Sequence, residues 1–84
     1  MNAIDETRLR DLLLGAFPDA DVALEDLTGT SDHWKARIVS DAFDGLTAVA
    51  RHRLVYKALQ HEMHGPIHAL ALDTVTPNEA ATDA

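Results

Sequence analysis

The side chains of this sequence with the most chemistry to offer are its histidines. Four of the five, His52, His61, His64 and His68, fall within residues 51–72, RHRLVYKALQHEMHGPIHALAL, and the fifth, His33, closes the polar stretch TGTSDH. The chain has no cysteine, so thiolate metal sites and disulfides within it are excluded, and imidazoles would have to carry any metal chemistry. His61 and His64 stand three apart, on one face of any helix, but the segment reads HEMH, not the HExxH of zinc enzymes. At a helix end their ordinary role is an interaction with the terminal carbonyls. His52 lies between Arg51 and Arg53, where it suits either a hydrogen-bonded helix joint or a basic docking face shared with Lys57. His68 follows Gly65-Pro66 at the head of an alternating apolar run, as a core-edge residue or as a ligand.

The elements that must position these groups can be read from periodicity. Residues 3–16 repeat at helical spacing, with Leu9, Leu12, Leu13 and Ala16 on one face and Gly15 and Pro18 as punctuation. Residues 21–28, DVALEDLT, alternate in part; residues 34–40, WKARIVS, set Trp34, Ala36 and Ile38 against Lys35, Arg37 and Val39. Two such runs joined by a short polar loop predict an antiparallel hairpin. The SDAFDG segment breaks the pattern, with Gly45 at a turn.

Helical spacing returns over 46–64 through Val49, Leu54, Val55, Ala58, Leu59 and Met63, as one long helix or two joined ones, and Gly65-Pro66 ends it. Residues 67–74, IHALALDT, read as a strand with Leu70 and Leu72 on one face and Ile67, Ala69 and Ala71 on the other. The tail from residue 76 onward, TPNEAATDA, is polar and predicts one helical turn or a frayed end. The resulting order, α-β-β-α(α)-β, describes a single small α+β domain over 1–84, with its core at about 3–77 and a polar tail at 78–84. If the second and third strands run parallel through a helical crossover, their starting ends share one rim. His33 and His68 would then converge there as half of a tetrahedral metal site, the other ligands coming from a partner or cofactor.

Composition narrows the functions. Eighty-four residues are near the lower limit for an unstapled core, and 46% hydrophobic with only 5% aromatic residues makes that core aliphatic. Fourteen acidic against seven basic residues, a net charge of −7, disfavour nucleic acid as a partner; Arg51, Arg53 and Lys57 are the local exception. No nucleophile–base pair, phosphate-binding loop or complete metal set is legible, which argues against an enzyme. The start MNAIDETRLRDLLLGAF lacks the pattern of a signal peptide, and no run approaches a membrane span. The expectation is a cytoplasmic protein without membrane contact.

The run VSDAFDGLTAVARHRLVYKAL followed by IHALALDTVTP resembles the BolA family, over roughly residues 9–77, most specifically in FDG, RHRLVY and IHALAL. The resemblance implies an α-β-β-α-α-β fold related to type II KH domains, with a three-stranded mixed sheet covered by helices. It also implies a monothiol glutaredoxin of the CGFS type as partner, with a 2Fe-2S cluster bridged between the two proteins. In that arrangement the glutaredoxin offers its cysteine and a glutathione thiolate. This chain would offer the histidine heading the last strand, His68, and the loop histidine between the first two strands, His33. Two imidazoles replacing two thiolates on one iron raise the cluster's potential, and they must be neutral to ligate. The isolated protein is then expected to be a metal-free monomer.

Family members are also described as transcriptional regulators, and a DNA-binding reading would rest on the fold and on Arg51, Arg53 and Lys57. A KH-type GxxG loop is missing, since Gly45 is followed by Leu-Thr-Ala. The tail also lacks the aromatic that many members carry after the TP pair.

Overall fold

A helix opens the chain because Asp5 supplies its cap: the side chain accepts the Arg8 amide at 2.8 Å, and Glu6 adds negative charge to the first turn. A computed structural model describes residues 4–63, 65, 67 and 69–82. In it α1 runs Glu6–Ala16, with Leu9 and Leu13 fully buried. Phe17 ends it and packs on Phe43, their ring centroids 5.2 Å apart.

The hairpin follows as β1 (Asp21–Asp26) and β2 (His33–Val39), antiparallel from Asp21 opposite Val39 to Asp26 opposite Trp34. Both boundaries differ from the sequence expectation: β1 stops two residues before Thr28, and β2 begins at His33. Asp26 turns its carboxylate into the loop and captures the amides of Thr28, Gly29 and Ser31, which ends the strand. Along β2 the expected alternation holds, with Trp34, Ala36 and Ile38 buried.

Ser40 then caps a single 3₁₀ turn at Asp41–Phe43 and donates its hydroxyl to Asp19 at 2.8 Å, while Asp19 also accepts the Asp41 amide at 2.8 Å. The turn drives Phe43 wholly into the core. Gly45 (φ +76°) reverses the chain in the left-handed region.

Helix α2 spans Ala48–Ala58, capped by Thr47 on the Ala50 amide, and a short α3 covers Gln60–Met63. The choice left open by periodicity is thus two helices, parted at Leu59. The buried line is Val55 and Leu59. Val49 and Leu54, expected on the apolar stripe, are 60% and 38% exposed. At about 100° per residue they sit on opposite sides of that line, each about a quarter to a third of a turn from Val55.

Strand β3 spans Ala69–Val75 and pairs in parallel with β2, from His33 opposite Ala69 to Val39 opposite Val75. Sheet order is β1-β2-β3, a mixed three-stranded sheet. Ile67, expected on the strand, precedes it and is buried at 1% exposure. Its amide and that of Gly65 both bond to the Glu62 carbonyl.

The tail is more ordered than expected: α4 covers Pro77–Thr82. Thr76 and Glu79 form a reciprocal capping box, the Thr76 amide donating to Glu79 at 2.9 Å and the Glu79 amide to the Thr76 hydroxyl at 3.1 Å. Pro77 stands at the first helical position, where its missing N–H costs nothing.

Candidate functional site

The loop between β1 and β2 is built by its own polar side chains. Asp26 accepts from the Gly29 amide at 2.9 Å with one oxygen and from the Ser31 amide at 3.0 Å with the other. That closure holds Gly29 (φ +76°) and Ser31 (φ +61°) in the left-handed region, which serine adopts rarely. The Ser31 carbonyl accepts from the Ile4 amide at 3.1 Å and from the Trp34 indole at 3.0 Å, tying the loop to the start of α1 and to the core. Its product is a fixed position for Asp32 and His33.

His33 is half-buried at the head of β2, and its Nδ1 lies 2.9 Å from Asp32 Oδ1. The same oxygen accepts from the Thr30 hydroxyl and, at 3.5 Å, from that of Thr28. These bonds, Thr30 first and then the His33 ring, hold the Asp32 carboxyl down at about 2. The Asp32 carbonyl accepts the Ala69 amide at 3.1 Å, and His33 is the register partner of Ala69. The rim expected from a parallel crossover therefore exists: the heads of β2 and β3 are hydrogen-bonded side by side. His68, expected there as second ligand, lies outside the described residues, as does His64. Among the described residues no three His, Cys, Asp or Glu side chains gather as a metal site.

Of the basic helical segment, the four positions have different surroundings. Arg51 is 13% exposed at its side chain and forms a bidentate pair with Glu79 at 2.6 and 3.0 Å. It also donates to the carbonyls of Leu46 at 3.0 Å and Thr74 at 3.1 Å, so one guanidinium joins α2, β3 and α4. The Arg51 guanidinium is the main reason that the Glu79 carboxyl is held at about 2. His52 is half-buried, while Arg53 and Lys57 are exposed on the outer face of α2. Val49 and Tyr56 share that face. At the joint with α3, Lys57, Ala58, Gln60, His61 and Glu62 line an open depression of about 440 Å³.

Periodicity and motif reading had no hold on Asp32 or Glu79 as partners. The signal for Glu79 was present as the capping box TPNE. For Asp32 it was only the adjacency Asp-His, which many surface loops share.

The family model for BolA, described as BolA-like protein, matches residues 18–79. Over 49 residues the chain is 47% identical to the human BolA-like protein 1, covering 58% of this chain and 36% of that protein. It is 49% identical over 51 residues to a protein of Vibrio cholerae named DNA-binding transcriptional regulator BolA, covering 61% of this chain and 48% of that one. These matches span about a third to a half of the relatives' lengths. The solved BolA domain of SufE1 from Arabidopsis thaliana superposes with a TM-score of 0.82 at 35% identity, covering 92% of this chain and 99% of that one.

Proposed function

We propose, starting from the fact that this chain belongs to the BolA family, that it is a non-catalytic adaptor in iron–sulfur cluster handling. It docks on a monothiol CGFS glutaredoxin and supplies His33 and His68 to a bridging 2Fe-2S cluster. The observation that carries this reading is the parallel pairing of β2 with β3, which sets His33 beside Ala69, the residue after His68. The donor chemistry agrees: a chain without cysteine offers imidazole, and the partner offers thiolate. When bound, such a cluster supplies one-electron redox capacity. The chain's own contribution is to bring the heads of β2 and β3 together through the backbone bond from Ala69 to Asp32, and imidazoles ligate only in their neutral form.

The test is reconstitution of a CGFS glutaredoxin with iron, sulfide and glutathione, followed by addition of this protein and visible absorption and circular dichroism. The expected result is a changed spectrum that either His33→Ala or His68→Ala reverses, with both variants remaining folded. An identical spectrum with and without the protein overturns the reading.

A second reading, a DNA-binding regulator, is favoured by the name of the Vibrio cholerae relative and by Arg53 and Lys57 exposed on α2. It carries less weight because Arg51, the third cation of that segment, is engaged with Glu79 and two carbonyls.

A further inference from the structure

We propose that Asp32 is a positioning residue for His33: its carboxylate holds the imidazole with the proton on Nδ1, so that Nε2 is the nitrogen offered to a metal. The tautomer is argued from the Asp32–His33 contact together with an ionised Asp32, and its use in ligation rests on the adaptor reading above.

Asp32 Oδ1 lies 2.9 Å from His33 Nδ1, and an ionised carboxylate can only accept, so the hydrogen between them belongs to the ring. A carboxylate on a surface loop would ordinarily swing away. This one is restrained at both ends. Its side chain accepts from the hydroxyls of Thr30 and Thr28, and its carbonyl accepts the Ala69 amide at 3.1 Å. Asp26 in turn fixes the loop that carries Thr28, Gly29 and Ser31. The chain of restraints runs from the loop through Asp32 to one nitrogen of one ring.

The chemistry gives this arrangement a use. A neutral histidine in water prefers the proton on Nε2, leaving Nδ1, next to the main chain, as the lone-pair nitrogen. Asp32 inverts that preference. Histidine ligands are commonly oriented by a carboxylate on the other ring nitrogen, which fixes the ring and raises the basicity of the ligating atom. A bland alternative is an exposed ion pair between Asp32 and a protonated His33, which would leave the neutral ring free to choose its tautomer.

Long-range proton–nitrogen correlation of the His33 ring in the ¹⁵N-labelled, cluster-free protein separates the two, at a pH where the ring is neutral. The proposal expects the Nδ1–H form in the native chain, reversion toward Nε2–H in Asp32→Ala, and retention in Asp32→Asn, whose amide oxygen still accepts. In titrations of the reconstituted glutaredoxin, Asp32→Ala should need about 10-fold more protein to develop the mixed spectrum. Asp32→Asn should lie closer to native. An Nε2–H ring in the native chain overturns the proposal, a result that needs no variant to fold. So does an Asp32→Ala variant that assembles the cluster as well as native. Failure of the adaptor reading shows separately, as a spectrum that His33→Ala leaves unchanged.

Discussion

Arg51 and Glu79 lie 28 positions apart in the chain, yet they meet at 2.6 Å, and their pairing has a consequence for acid stability. Glu79 is lowered from an ordinary 4.5 to about 2, first by Arg51 and then by the Thr76 amide. A carboxyl whose folded value is depressed stabilises the fold fully above its unfolded value. That contribution is lost as pH falls toward the folded one. The melting temperature should therefore drop as pH is taken from about 4.5 to about 2, and Glu79→Gln should flatten that part of the profile. Asp32, lowered from 3.8 to about 2, adds to the same acid limb, so the slope should be reduced in Glu79→Gln without vanishing. Thermal unfolding followed by circular dichroism across that range checks both statements.

At the scale of elements, a mainly aliphatic core with the Phe17–Phe43 contact within it is supplemented by arginines at the sheet edges. Arg10 of α1 donates to the Val22 carbonyl on the outer edge of β1, and Arg51 of α2 donates to the Thr74 carbonyl on the outer edge of β3. Each helix thus covers part of an edge that would otherwise present unpaired groups. Phe43 is fully buried against Phe17 although it belongs to a 3₁₀ turn of three residues. Phe43→Ala should cost about 3–5 kcal/mol by lost transfer energy and cavity formation. In a domain of this size that is a large share of a total of roughly 5–15 kcal/mol. Urea unfolding should show a midpoint strongly lowered with little change in slope. The Asp19–Ser40 bond and the Asp41 amide keep this turn in place, contacts across more than 20 positions that no local pattern announces.

For the whole molecule, the net charge of −7 sets the contrast between the two functional readings. If the protein binds DNA through α2, Arg53→Ala with Lys57→Ala should weaken binding across sequences. The same pair of changes should flatten the salt dependence by about one unit of log–log slope per cation removed. Arg51 does not belong in that experiment, because its substitution would break the junction of α2, β3 and α4. Gel-shift titrations across salt concentration give the answer. Retention identical to native would leave DNA binding without support from this face. No helix among the described residues is long and apolar enough to cross a membrane.

The sequence by itself determined the order helix, two strands, helical segment, strand, the alternation that buries Trp34, Ala36 and Ile38, and the end of the helical segment ahead of Gly65, because these follow from local period and backbone chemistry. It also carried the family, through FDG, RHRLVY and IHALAL. Side-chain direction was less legible. Val49 and Leu54 count as apolar at helical spacing, yet only packing against α1 and β3 decides which line of α2 turns inward. Ile67 lies before β3, whose described pairing begins with Ala69 opposite His33. Likewise Arg51 looked like its neighbour Arg53 in sequence. Tertiary structure separated them, because a salt bridge across 28 positions depends on where β3 and α4 come to rest. The adjacency of Asp32 and His33 was written in the chain. Its meaning depended on a loop closed by Asp26 and on a parallel strand arriving from residue 69.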